Sequence, residues 1–151
     1  MRGYLRAPGS MVLFAMLFGS GRAAEPVVAY TITNGSEITR SLTGAPGDAA
    51  RGAKLYAGQA RAGCPVCHGV PGTAGAAAAP DLDGIGGRLS AGAIRLWIVA
   101  PAALDPATAM PAFYAAGQRG EAEDPLYGGP ALTAAEIEDL VAYLAALRNP
   151  G

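Results

Sequence analysis

Apolar residues are spaced differently along different stretches of this chain, and each spacing predicts a different element. Near the C-terminal end Ile137, Leu140, Val141, Leu144 and Leu147 fall on one stripe of a helix. Thr133, with Glu136 three residues on, forms a capping box at its start, and Asn149-Pro150-Gly151 stops it. Upstream, Ile94, Trp97 and Ile98 take i, i+3, i+4 spacing behind Ser90, a candidate N-cap, and Pro101 ends that helix. A further helix is predicted from Ala49 to about Gln59 behind Asp48, with Gly52 and Tyr56 on a shared face. A glycine inside a helix costs about 1 kcal/mol against alanine, so Gly52 predicts close approach of another backbone. Before it, Val27, Val28, Tyr30, Ile32 and Ile38 surround the turn pair Asn34-Gly35, which predicts a short strand or hairpin. Residues 70–79 and 80–88, rich in small residues, read as loop, and Pro106 and Pro111 stiffen an extended loop around Met110. No internal repeat is visible. The pattern predicts a small all-α domain of three or more helices with an extended N-terminal lead.

The first two dozen residues belong to a different pattern. Arg2 and Arg6 precede the apolar run Met11 to Phe18, and small residues follow, with Gly21 and Ala23 where a signal peptidase reads. That order predicts a secretory signal over residues 1–23, and the run is too short to span a bilayer. The alternative is an uncleaved anchor. Cleavage near Ala23 leaves about 128 residues, enough for one domain, exported to the periplasm and free of the membrane. Losing Arg2, Arg6 and Arg22 and no acid takes the formal charge from −1 to −4. A mildly acidic protein with no basic run is a poor nucleic-acid partner. Alanine and glycine are abundant and large aromatics few, so the apolar mass available for a core is thin.

The two cysteines change that picture. Two cysteines in an exported chain ordinarily suggest a disulfide, but these stand as Cys64-Pro65-Val66-Cys67, followed at once by His68, the single histidine. Dithiol redox motifs at this spacing accompany a βαβ pattern, which is missing, and zinc needs more Cys or His than the chain has. Cys-x-x-Cys-His is the attachment signal for haem c, both thiols adding to the haem vinyl groups. The prosthetic group would also fill the thin core. His68, adjacent to the thioethers, is then an axial ligand of the iron, with a core or surface histidine as the bland alternative.

The sixth ligand is argued by exclusion. Met1, Met11 and Met16 leave with the signal, so Met110, forty-two residues after His68, is the methionine that remains. Pro111 restricts it to an extended backbone, which suits a loop laid across a haem face. A packed core methionine is the alternative, and Lys54, the single lysine, a remote competitor. His/Met ligation raises the reduction potential and closes the iron to small substrates. Such a site moves electrons.

A wider frame resembles class I cytochromes c: Gly52 and Tyr56 match the first helix, Leu140 and Tyr143 the last helix crossing it, Pro80 the proline after the haem site and Met110 the distal ligand. A closer resemblance, to the SoxX family, covers most of the mature chain. It is carried by residues 41–44, 46–52, Ile94-Arg95-Leu96 with Pro101, Met110-Pro111-Ala112-Phe113-Tyr114, and the run from Leu132 to Leu144. Ala79 departs from the glycine usual before Pro80. The resemblance implies a class I fold around one covalent haem, divided as signal 1–23, extended segment 24–47 and cytochrome domain 48–151. It implies that the Pro80 carbonyl accepts from His68, and Arg88 and Trp97 are further candidate cofactor-binding residues. It also implies a heterodimer with a SoxA-like cytochrome subunit, which joins thiosulfate oxidatively to a cysteine of a SoxYZ-like carrier protein. This chain would be the non-catalytic electron-transfer subunit of that L-cysteine S-thiosulfotransferase, passing electrons to a small cytochrome c. A free monohaem electron carrier and a structural or sensory haem module are the other readings.

Overall fold

The computed structural model describes residues 26–58, 63–69, 78–114 and 130–148. The signal peptide expected over residues 1–23, most of the loop at 70–79, and the terminator Asn149-Pro150-Gly151 lie outside the described residues.

The last helix organises the rest. Helix α5 (Ala134–Ala146) starts on the predicted capping box, in which the Thr133 side chain accepts from the Glu136 amide and Glu136 accepts from the Thr133 amide. Its apolar stripe, Ile137, Leu140, Val141 and Leu144, is buried against helices on three sides. Helix α1 (Ala49–Ala57) crosses it, capped by the Asp48 carboxylate on the Arg51 amide. Only Gly52 and Tyr56 of α1 are buried. The predicted close approach is found at Gly52, where an added Cβ would collide with the Asp139 carbonyl oxygen and lie 2.8 Å from the Tyr143 Cβ. Tyr56 and Tyr143 continue the crossing, ring centroids 5.6 Å apart and planes tilted by 53°.

Helix α2 (Cys64–His68) carries the cysteine–histidine string, and helix α3 (Ile85–Arg88) follows where the sequence read as loop. The glycines that suggested a loop are there for packing: a Cβ at Gly86 would strike the Ala145 carbonyl, and the Gly86 amide donates to the Leu147 carbonyl at the end of α5. Helix α4 (Ala91–Val99) is capped by Ser90, whose hydroxyl accepts from the Ala93 amide, and Pro101 opens a 3-10 turn to Ala103. Burial wraps α4 on Gly92, Ile94, Arg95, Leu96, Ile98 and Val99, wider than the single face predicted, and Trp97 is only half-buried.

The hairpin expected around Asn34-Gly35 shrinks to one isolated bridge between Thr33 and Glu37, with Asn34 and Gly35 both at positive φ. The reason is where the amides go. Outside the turn the Ile38 amide donates to the Gly92 carbonyl on α4 and the Val28 amide to the Tyr114 hydroxyl, so both flanks of the turn pair with the helical body. Ile38 and Leu42 enter the same core as Leu96, Leu132, Ile137 and Leu140.

An unforeseen buried ion pair fastens that lead. Arg95 donates from Nε and Nη2 to the two Glu138 carboxylate oxygens, each at 2.7 Å, and from Nη1 to the Ile38 carbonyl at 2.6 Å. The Leu42 amide donates to the same carboxylate at 2.9 Å. Both side chains are below 8 % exposed, and the forked geometry satisfies the charges that burial would otherwise penalise. Among the described residues no helix is long and apolar enough to cross a membrane.

Candidate haem site

Cys64 and Cys67 are three apart on α2 and share its face, with Pro65 in the first turn, where a missing amide hydrogen costs nothing. Gly63 and Gly69, at φ 58° and 71°, bracket the helix. The two thiols are free and not joined as a disulfide. Cys64 packs against the hydrophobic core, and burial pushes its thiol up to about 11.

His68 takes a defined orientation. Its Nδ1 lies 2.8 Å from the Pro80 carbonyl oxygen, as the resemblance implied, and the Ala79 amide donates to the Cys67 carbonyl at 3.0 Å. A carbonyl can only accept, so Nδ1 is the donor, and in the neutral imidazole Nε2 is the nitrogen that can offer a lone pair. That tautomer is the one a metal-ligating imidazole needs, with the far nitrogen anchored to an acceptor. The donor set therefore fits a haem: two unpaired thiols on one helical face and, one residue on, an imidazole oriented through Nδ1.

Arg88 is engaged with the loop beside His68. Its guanidinium donates to the carbonyls of Asp81, at 2.8 Å, and Asp83, and so clamps the turn that presents Pro80. Cys64, Cys67, His68, Pro80 and Arg88 thus form one connected cluster. Met110 and Trp97 stand on other segments. Trp97 lies half-buried on α4, and Met110, also half-buried, packs against the core. The Met110 amide donates to the Thr108 hydroxyl, and the Phe113 amide to the Ile98 carbonyl, so the loop is pinned to the end of α4.

Sequence reasoning missed one contact of this site. Tyr56 is 2 % exposed, and its hydroxyl donates to the Gly69 carbonyl at 2.8 Å, directly after His68. The available signal was its place one turn beyond Gly52 on the buried face of α1. Burial raises the Tyr56 hydroxyl well above the ordinary tyrosine range, so it remains a donor.

Fold and site together define a c-type cytochrome. The family model for cytochrome c matches residues 49–148, two thirds of the chain, and the chain belongs to that family. A chain in the crystal structure of SoxXA from P. pantotrophus superposes with a TM-score of 0.65 at 30 % identity, covering 81 % of this chain and 95 % of that one. Within the family the protein is accordingly a class I cytochrome of the SoxX type. A comparison with curated proteins gave no match. One covalently bound haem c and a role in electron transfer follow from the family.

Proposed function

We propose that this chain is the periplasmic electron-transfer subunit of a SoxAX-type, thiosulfate-oxidising complex. Its partner is a SoxA-like cytochrome, its upstream substrate system a SoxYZ-like carrier protein, and its acceptor a small cytochrome c. The observation that carries the proposal is the match to a chain of SoxXA over 95 % of that chain's length. The haem supplies a one-electron couple between ferric and ferrous iron.

Every other part of the work belongs to this chain's residues. Cys64 and Cys67 would hold the group covalently on α2. His68 offers Nε2 to the iron, and Pro80, steadied by Arg88, keeps the imidazole in that tautomer. Met110, on a loop pinned to α4, would be the second side chain to hold the iron, with Trp97 contributing to the pocket. With His68 and Met110 both holding the iron, this chain would offer sulfur no place to bind, and the sulfur chemistry would fall to the partner. The chain receives electrons as carrier cysteine and thiosulfate are joined, and hands them on.

Expression of the exported chain beside its genomic neighbours, followed by affinity capture and haem staining, tests this reading. A second haem protein should co-purify in stoichiometric amount. Capture of the chain alone, under conditions where the neighbours are expressed, would favour the free carrier instead.

A further inference from the structure

Helix α2 buries none of its residues fully, so core packing by itself does not fix where the cysteine–histidine string sits. Hydrogen bonds fix it. Among the described residues three of them tie the segment Cys64–Gly69 to the rest of the fold: Ala79 amide to Cys67 carbonyl, His68 Nδ1 to Pro80 carbonyl, and Tyr56 hydroxyl to Gly69 carbonyl. The first two come from one loop. Tyr56 provides the third, from the α1–α5 crossing.

The geometry points to Tyr56 as a positioning residue for the proximal haem ligand, an inference that rests on reading His68 as that ligand. Gly69 leaves α2 at φ 71° and ψ −170°, a conformation that favours glycine, and its amide donates back to the Pro65 carbonyl at 3.1 Å. With its carbonyl held by Tyr56, both polar groups of the residue after His68 are fixed. The carbonyl of Cys67, the residue before it, is held by Ala79. His68 is therefore clamped from both sides along the backbone, while Pro80 sets its ring. Tyr56 can do this because Gly52 brings α1 hard against α5, and the hydroxyl then emerges one turn later beside the end of α2. Phenylalanine would fill the same space and keep the edge against Tyr143, yet could not donate.

The test uses the full haem-loaded protein and Tyr56→Phe, with Tyr143→Phe as the control that removes a hydroxyl from the same ring pair. Denaturing electrophoresis with haem staining first establishes attachment; an unmodified protein without stain would sink the haem reading itself, not the role of Tyr56. The decisive measurement is the pattern of hyperfine-shifted haem-methyl resonances in the ferric protein, which follows the orientation of the axial imidazole plane. Tyr56→Phe should redistribute those shifts, and the Ala79 amide should exchange about five- to tenfold faster, the effect of one lost hydrogen bond. Tyr143→Phe should leave both unchanged. An unaltered methyl pattern in Tyr56→Phe, whatever its stability, would overturn the inference, as would the same change in Tyr143→Phe. Should Tyr56→Phe fail to assemble, the unmodified protein decides. A Tyr56 hydroxyl proton slow to exchange, with cross-peaks to the Gly69 α-protons, supports the role, and a freely exchanging one overturns it.

Discussion

Substituting Gly52 by alanine sets two effects of opposite sign against each other. In an isolated helix the change stabilises by about 1 kcal/mol, because glycine carries excess backbone freedom in the unfolded chain. In this fold the new methyl would lie 2.6 Å from the Asp139 carbonyl carbon and 2.8 Å from the Tyr143 Cβ, and closer still to the Asp139 oxygen. Carbon atoms pack best at about 3.5–4.0 Å, so α1 would have to retreat by roughly 1 Å. The obstacle is backbone of a buried helix, which cannot rotate aside as a flexible side chain does. Overpacking of this kind costs about 3 kcal/mol at the upper end of its usual range, leaving a net loss near 2 kcal/mol once propensity is counted. At a urea dependence of about 2 kcal/mol per molar, the unfolding midpoint should fall by roughly 1 M. The control is Gly87→Ala in α3, an exposed glycine with nothing within 4 Å of the new methyl, which should leave the protein as stable as the parent or up to about 1 kcal/mol more stable. A Gly52→Ala protein as stable as the parent, or an equal loss at Gly87, would refute the reasoning.

Removing one member of the buried pair, as in Glu138→Ala, should cost about 3–5 kcal/mol, since Arg95 would be left charged and unpaired. The double variant Arg95→Met/Glu138→Leu should lose much less than the two single losses combined, measured by denaturant unfolding of all three. The Arg51 guanidinium beside Asp139 holds that carboxyl below its ordinary value of 3.8. A depressed acid stabilises the folded state above its unfolded value and stops doing so as pH falls through the folded one. Acid unfolding followed below pH 4 should therefore be less steep in Asp139→Asn than in the parent, and an identical acid limb would contradict the pairing. Met110→Ala should lose the weak red-end absorption band of thioether-ligated ferric haem and bind added imidazole or cyanide readily. An unchanged spectrum would place the sixth ligand elsewhere.

The parts of the fold legible in the sequence were those set by local chemistry. Thr133-x-x-Glu136, Ser90 and Asp48 mark helix starts because a side-chain oxygen three residues from an orphan amide has one effective use, and all three caps form. Gly52 signalled a backbone contact because glycine in a helix needs a reason. The cysteine–histidine string carried the cofactor because its spacing has few other chemical uses. What escaped depends on partners far apart in the chain. Arg95 sits in an apolar helix and finds Glu138 forty-three residues away, and neither residue's own neighbourhood advertises the other. The lead read as a hairpin because Asn34-Gly35 favours a turn locally, yet the Ile38 amide bonds to α4 instead. Gly86-Gly87 read as loop, since burial of Gly86 under α5 is invisible without the tertiary contact.

The central claim is that this cytochrome moves electrons out of a thiosulfate-oxidising complex without doing the sulfur chemistry itself. Stopped-flow absorbance of its haem, after mixing the ferric protein with thiosulfate, tests that most directly. The isolated chain should stay oxidised, and with the partner subunit and carrier protein added, the same haem should be reduced in a thiosulfate-dependent phase that Met110→Ala impairs. Reduction of the isolated chain by thiosulfate at a comparable rate, or no reduction in the complete mixture, would contradict the account.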